Sequence, residues 1–335
     1  MRGKERKMRL LDIVITHSTE EWGIGRKMFE MLKLQRGVDW QEVGVIVVQD
    51  GEEGNQVDFG RVMKIYPFVE SVLYIPKGGV SEARNEGLRY AEAEWVMFCD
   101  FDDCLYSADS LHRILESLKE TEGRADLVWS DFWIEMVSAE GKWIKRNKGW
   151  NTVFIHGKCY RREFLTEHNI WFDPELTYSE DAMFNALVAM EIRPERVAKM
   201  PETVYMWCFR PGSASNYEGG DEKRNESLYR KRVKTCEAYE ERGMHYDANT
   251  AAVRMLLDYY WELNGQDDVA GNTREGWIKR IQEDVLKRWP GCVMSISARD
   301  RKLLLDVTTE EAKARQKIKE GMITPEEWLA EIGAV

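Results

Sequence analysis

The chain lacks any hydrophobic run of the roughly 20 residues that a membrane-spanning helix needs. Its most apolar runs, Leu10–Thr16 and Val43–Val48, are only as long as a β-strand. The basic start, Met1–Arg9, precedes only a few apolar residues interrupted by Asp12, and no small-residue cleavage site follows. This pattern is not that of a signal peptide. We therefore expect a cytoplasmic protein without a membrane span.

Paired cysteines and excess positive charge are also missing. The six cysteines form no CxxC pair and no zinc-type spacing, which favours scattered reduced thiols. Asp and Glu outnumber Lys and Arg by 59 to 48, so the net charge is −11. This balance disfavours non-specific binding to nucleic acid or anionic membranes, although a local basic groove stays compatible with it. The 335 residues suffice for about two domains.

Apolar strands alternate with helices in the first hundred residues. The strand-like runs are Leu10–Thr16, Val43–Val48, Ser71–Ile75 and Trp95–Cys99. Continuous apolar strands separated by helices are typical of a parallel sheet covered on both faces, an α/β fold. Ligands of such sheets collect beyond the carboxyl ends of the strands, where Asp50 and the acids from Asp100 onward fall.

The second half of the chain changes character. The spacing predicts a strand over 128–136, a helix over 181–190 and a short strand over 203–207. A Gly-rich polar loop follows from Arg210, and the sequence is helical from about Glu222. We expect an α/β domain over 1–220 and a helical region over 221–335, whose apolar stripes could pack internally or mediate oligomerisation.

The strongest chemical signal is Asp100-Phe101-Asp102-Asp103. Residues two apart in an extended segment point the same way, so Asp100 and Asp102 can present two carboxylates to one point. Clustered acids repel one another unless a cation or hydrogen-bond donors neutralise them. Carboxylate oxygens suit Mg2+ or Mn2+. A solvated acidic turn is the alternative interpretation of the same residues.

Two enzyme families place such acids after an apolar strand. Met97–Leu105 resembles the motif of haloacid-dehalogenase-type phosphohydrolases, but Asp103-Cys104 stands where that family has Gly-Thr. More of the chain resembles family 2 glycosyltransferases of the GT-A fold. The matching blocks, in order, are Leu11–Ser18, Val47–Gly51, Ser81–Gly87, Trp95–Asp103, Gly157–Leu165, Glu180-Asp181 and Arg210–Ser213.

This resemblance implies a Rossmann-like, mostly parallel sheet and metal-dependent, inverting transfer of a sugar, hexosyl or acetylhexosaminyl, from a nucleoside diphosphate, most simply UDP. It makes Asp181 the general base and Glu180 its neighbour at the acceptor. It assigns Mn2+ or Mg2+ to Asp102, Asp100 and Asp103. The residues that it assigns to the nucleotide sugar are Thr16, Asp50, Arg84, Asn85, Asp100, Arg210 and Ser213. Each of these residues also has a plain structural alternative, as a turn, a helix end or a surface ion pair.

Several assignments stay open. His156 and His245 match no pattern that would make either a third metal ligand. Four tryptophans lie where an acceptor sugar could stack, although core packing explains each equally well: Trp129, Trp133, Trp150 and Trp171.

Two other functions compete with glycosyl transfer. A sugar nucleotidyltransferase should carry a Gly-rich, basic loop after the first strand, and residues 16–21 have none. A non-catalytic nucleotide- or carbohydrate-binding module of the same fold would keep the acids without the reaction. The sequence names neither the donor sugar nor the acceptor.

Overall fold

The computed structural model describes residues 9–51, 57–137, 141–210, 221–263, 268–269, 272–314, 317–318 and 321–335. The chain separates into two compact units, Met1–Tyr217 and Glu218–Val335. The first unit is a sheet with helices on both faces, and the second is helical.

The first unit alternates strands and helices as its sequence predicts. Its strands are β1 (Leu11–His17), β2 (Val43–Asp50), β3 (Val69–Ile75), β4 (Trp95–Asp100), β5 (Cys104–Leu105), β6 (Leu127–Val137), β7 (Trp143–Asn147), β8 (Lys158–Arg161) and β9 (Val197–Trp207). Its helices are α1 (Trp22–Lys33), α2 (Phe59–Ile65), α3 (Val80–Tyr90), α4 (Ser110–Glu120), α5 (Arg162–Glu167) and α6 (Glu180–Glu191). The short strand predicted at 203–207 is the end of the longer β9.

The strand order is β3-β2-β1-β4-β8-β6-β9-β5, with β7 paired to β6. Strands β3, β2, β1 and β4 are mutually parallel, and β8 is antiparallel to both β4 and β6. The predicted mostly parallel sheet of the GT-A type is confirmed. Inserting β8 between β4 and β6 lets β6 run in the same direction as β4, so both end at the same edge.

Continuous burial explains why the central strands are apolar on both faces. Every residue of β1 and β2 is buried. One face packs on α1 and α4, and the other packs on α3, α5 and α6. The packing is close at Gly25 of α1, where a Cβ would overlap the ring of Phe101. The acid-bearing segment after β4 therefore lies directly against α1.

The second unit is built around one long buried helix. Its helices are α7 (Asp221–Glu241), α8 (His245–Leu263), α9 (Arg274–Ile281), α10 (Cys292–Ser295), α11 (Ala298–Ala314) and α12 (Pro325–Glu331). Two short strands, β10 (Asp268–Val269) and β11 (Asn272–Thr273), pair antiparallel. Ten residues of α8 are buried, and Trp277 and Trp328 complete that core. A capping box joins Thr324 and Glu327 at the start of α12. Within the described residues, no helix combines the length and apolarity that a bilayer crossing requires.

Candidate active site

The carboxyl ends of β1, β2 and β4 meet at one edge of the sheet. Thr16 of β1 is in register with Val48 of β2 and with Asp100 of β4. Polar side chains follow at the ends of these buried strands, and Asp50 is only 3% exposed. The strand ends therefore bring the first predicted site residues, Thr16, Asp50 and Asp100, to the same edge.

Asp50 holds the loop that leads into α3. Its Oδ1 accepts hydrogen bonds from the backbone N–H groups of Gly78 at 2.7 Å and Gly79 at 3.2 Å. Its Oδ2 accepts from Lys77 Nζ at 2.8 Å. Gly79 has φ +87°, a conformation that favours glycine. Asp50 thus fixes the position from which the α3 residues enter the site.

Arg84 of α3 lies between two carboxylates from distant parts of the chain. Its Nη2 donates to Asp100 Oδ1 and its Nη1 donates to Glu180 Oε1, both at 2.8 Å. The side chain is buried, its Nε finds no hydrogen-bond partner in the described part of the chain, and the guanidinium lies over the Phe172 ring at 5.2 Å. Burial acts to lower the pKa of Arg84, but Asp100 and Glu180 outweigh it, so its pKa lies above the ordinary value. Arg84 stays a cation and neutralises both acids.

Asp100 is the carboxylate that the site keeps ionised. Burial acts to raise its pKa, yet the charge of Arg84 and hydrogen bonds from Arg84 and Thr16 overcome burial and lower it. An ionised carboxylate is the form that binds a metal.

The other two acids are held differently. Asp103 is fully buried, accepting from the Tyr205 hydroxyl at 2.6 Å and the Cys208 N–H at 2.8 Å. Burial and the nearby Asp100 charge raise the pKa of Asp103 well above the usual range. Asp102 accepts from Arg210 Nε at 2.7 Å, and burial raises its pKa despite that partner. The three acids of this short segment, Asp100, Asp102 and Asp103, therefore lie in three different environments.

His156 joins the acids, a role that the sequence did not assign. Its ring is buried and stacks on the Tyr205 ring at 4.9 Å, and its Nδ1 has no hydrogen-bond partner among the described residues. Burial lowers the pKa of His156 to about 4, so the ring is neutral at physiological pH. One ligand atom each from Asp100, Asp103 and His156 lie within 4.8 Å of one another.

This cluster fits a divalent cation. Ligands at about 2.1 Å from an ion lie within about 4.2 Å of each other, so small side-chain movements would complete the site. The unpartnered imidazole nitrogen is a ligand atom that nothing else in the described structure uses. Asp102, predicted as a ligand, is instead paired with Arg210.

Glu180 and Asp181 form the first turn of α6. Ser179, which precedes them, has φ +64°, and this left-handed residue turns the chain into the helix. Asp181 Oδ1 accepts from the N–H of Ala182 at 2.7 Å. Burial, followed by the charge of Glu180, raises the pKa of Asp181 to about 7, with Arg84 opposing. A carboxylate that exchanges a proton near neutral pH is suited to general base catalysis.

A buried polar network fixes that turn. Lys158 is 2% exposed and donates to Asn185 Oδ1 at 2.9 Å, as does the Tyr160 hydroxyl at 2.9 Å. The Asn185 amide donates in turn to the backbone carbonyl of Asp181 at 2.9 Å. Residues of β8 therefore anchor α6 and the position of Asp181.

Other predicted residues lie elsewhere or outside the described part. Asn85 makes two hydrogen bonds with the backbone of Phe172, at 2.8 and 2.9 Å, so its amide braces that segment. His245 is exposed in the second unit and contacts Glu240. Ser213 lies outside the described residues. Cations cover one face of three of the four tryptophans: Lys158 over Trp129, Lys199 over Trp150 and Arg89 over Trp171.

Comparisons with known proteins show the family to which these residues belong. Residues 13–176 match the model of Glycosyl transferase family 2. EpsJ of Bacillus subtilis (strain 168), an uncharacterized glycosyltransferase, is 25% identical over 195 residues, covering 51% of this chain and 54% of EpsJ. The chain thus spans about half the length of that relative.

Solved structures share the fold. S. aureus TarS 1-349 in complex with UDP has a TM-score of 0.61 at 16% identity, covering 92% of this chain and 88% of TarS. The mannosyltransferase PcManGT from Pyrobaculum calidifontis, in complex with GDP-Man and Mn2+, has a TM-score of 0.50 at 15% identity, with the same two coverages. With the family match, the strand order and the acids at the strand ends taken together, this chain belongs to glycosyltransferase family 2 through its first unit.

Proposed function

We propose that the protein transfers a sugar, with inversion, from a UDP-sugar to an acceptor hydroxyl, and that a divalent metal ion assists. The observation that carries this proposal is the position of Arg84, which joins Asp100 of the acid cluster to Glu180 beside Asp181. A donor site and a base must lie next to each other for direct transfer. The buried guanidinium of Arg84 binds both Asp100, at the proposed donor site, and Glu180, beside the proposed base.

The donor end comprises the strand ends. Asp50 and Thr16 lie where a base and ribose would be held, and Arg210, paired with Asp102, lies on the segment after β9. TarS, which has this fold, is known in complex with UDP. UDP is therefore the nucleotide that we propose. Both a hexose and an N-acetylhexosamine remain candidates for the sugar.

Asp100, Asp103 and His156 would hold the metal ion, with Asp102 reaching it if Arg210 turns to the diphosphate. The ion would supply positive charge against the leaving diphosphate. The presence of Mn2+ in PcManGT supports this class of ion. A nitrogen ligand beside two carboxylates favours Mn2+ over Mg2+, which prefers oxygen.

Asp181 acts on the acceptor. Its carboxylate takes the proton of the acceptor hydroxyl as that oxygen forms a bond to the anomeric carbon. The bond from this carbon to the diphosphate oxygen breaks, and UDP leaves with the electron pair. Attack opposite the leaving group inverts the configuration. The Glu180 carboxylate, held by Arg84, lies beside Asp181 and helps to raise the pKa of Asp181.

The test pairs donor binding with turnover. UDP-GlcNAc and UDP-glucose, each with and without Mn2+, are compared by thermal shift and by UDP release. We expect one of them to stabilise the protein with Mn2+ and to release UDP. Asp181→Asn should keep the thermal shift but lose UDP release by about 10²–10⁴-fold. Glu191→Gln, at the other end of α6, is the matched control. If the unaltered protein binds the UDP-sugar but releases no UDP, the protein is a binding module. If Asp181→Asn still releases UDP, Asp181 is not the base.

A further inference from the structure

The segment from Gly141 to Arg162 has a charge opposite to that of the whole chain. It contains seven Lys and Arg residues and no Asp or Glu, although the chain carries a net charge of −11. Three of the cations are used inside the fold: Lys158 on Asn185, Arg161 on Glu94 and Arg162 on the Ala93 carbonyl. The other four, which we call the β7 cations, are Lys142, Lys145, Arg146 and Lys148.

The β7 cations follow an open strand: Lys145 and Arg146 belong to β7, and Lys142 and Lys148 flank it. Each residue of β7 is exposed, and among the described strands β7 pairs with β6 alone. Lys145 Nζ lies 3.8 Å from Glu135 Oε1, whereas Arg146 and Lys148 have no ion pair among the described residues. The described part of the fold therefore supplies no carboxylate for the charges of Arg146 and Lys148.

This strand lies at the edge of the sheet that carries the acids. Strand β6 runs parallel to β4 and pairs with β8 at residues 127–129 and with β7 at 133–137. Strand β7 therefore occupies the position beyond β8, on the side of Asp100. Trp143, 65% exposed, also contacts Phe209 edge to face at 5.6 Å, and the next residue, Arg210, binds Asp102.

We propose that the β7 cations and Trp143 form the surface that receives the acceptor, and that this acceptor is a linear polyanionic saccharide, with phosphodiester or uronate charges. The inference rests on the proposed function, since it names the substrate class of that site. A strand rises about 3.3 Å per residue, so the β7 cations span about 20 Å. Successive side chains point to opposite faces, so Trp143 and Lys145 share one face of β7 and Arg146 lies on the other. The cations therefore follow the axis of the strand on both faces and form no flat patch. A line of charge complements an extended chain better than it complements a flat membrane surface.

The role of each part follows from this arrangement. The cations attract the anionic chain and raise the rate of encounter. Trp143 offers a ring for a sugar to stack on at the point where the strand approaches Arg210. Lysines on an edge strand also prevent edge-to-edge pairing. That protective role alone predicts self-association when the charges are removed, with no change in affinity for a polyanion.

The experiment measures binding of fluorescently labelled inorganic polyphosphate and labelled polygalacturonate to the whole protein at low salt. The triple variant Lys145→Gln, Arg146→Gln and Lys148→Gln should bind on the order of tenfold more weakly. The control is Arg26→Gln, Arg124→Gln and Arg193→Gln, which removes the same charge from exposed sites of the first unit and should bind as the unaltered protein does. The polymer that binds identifies phosphate or uronate as the anion.

Three results would overturn the proposal: no binding of either polymer, equal weakening in both triple variants, or binding confined to vesicles of phosphatidylcholine and phosphatidylserine. A UDP and Mn2+ thermal shift is measured on all three proteins. If the shift is present but polyanion binding is absent, only this inference fails. If no protein shows the shift while the β7 dependence persists, the surface binds polyanions but the proposed function fails, and with it the acceptor role.

Discussion

Arg84 Nη1 lies 2.8 Å from Glu180 Oε1, although ninety-six residues separate the two in the chain. The same guanidinium binds Asp100, so one buried cation neutralises two acids. Removing one partner of a buried ion pair leaves an uncompensated charge, which costs about 3–5 kcal/mol. We therefore expect Arg84→Met to lower the free energy of unfolding by about that amount in urea titrations.

A matched control exists on the same helix. Arg89 is 48% exposed and pairs with Glu82 and Glu86 at the surface, so Arg89→Met should cost less than about 1 kcal/mol. Combining Arg84→Met with Glu180→Gln should recover part of the loss. Equal costs for Arg84→Met and Arg89→Met would show that the buried network does not stabilise the fold.

The pKa of Asp181, raised to about 7, predicts two effects of pH. In the proposed mechanism Asp181 acts as an ionised base, so the transfer rate should rise with pH through about 7. A raised pKa in the folded state means that its stabilising effect is present below the unfolded value near 4 and is lost as the pH rises through about 7. Asp181→Asn should therefore be more stable than the unaltered protein at about pH 8, with no difference near pH 4. Thermal unfolding of the two proteins across this pH range measures the difference in their stability. A difference that does not change with pH would contradict the prediction.

The position of His156 in the acid cluster predicts an effect on metal affinity that the sequence around His156 does not indicate. Replacing it by Gln removes the unpartnered nitrogen from the cluster, so the affinity for Mn2+ in calorimetric titration should fall at least about tenfold. The control is His168→Gln, because His168 is exposed and pairs with Glu191 on α6. Unchanged affinity in His156→Gln would exclude the ring as a ligand.

The close packing at Gly25 predicts that a substitution in α1 affects the acids after β4. A Cβ at this position would overlap the Phe101 ring between Asp100 and Asp102. Gly25→Ala should destabilise the protein by about 1–3 kcal/mol and weaken Mn2+ binding, because Phe101 must move. Gly23→Ala on the same helix meets nothing within 4 Å and should gain up to about 1 kcal/mol from helix propensity. If both variants behave alike in urea and Mn2+ titrations, the packing argument is wrong.

The parallel strands were predictable because each is a continuous apolar run buried on both faces. The acids after β4 were visible for the same reason, since the end of an apolar run marks the end of a strand. Local motifs in the sequence also indicate Arg84 and Asp181, but they do not show that Arg84 binds Glu180, the neighbour of Asp181. That contact depends on how α6 packs on the sheet.

His156 could not be assigned from the sequence because its role depends on strand order. Strand β8 runs back between β4 and β6, and Gly157, with φ +71°, turns the chain just before it. A Cβ at Gly157 would lie 2.5 Å from Ser130 Oγ, so the turn requires glycine. The local sequence signal for this turn is Gly157, between His156 and Lys158. Asn85 shows the opposite case. A local motif in the sequence identifies Asn85, but its hydrogen-bond partner, Phe172, lies 87 residues away in the chain.

The guanidinium shared by Asp100 and Glu180 limits how this protein can diversify. A substitution that alters either acid changes the charge balance felt by the other, so donor and acceptor preferences cannot be tuned independently at that point. New specificities should accumulate instead in the peripheral segments, such as the β6–β7 hairpin, whose side chains can change without disturbing Arg84.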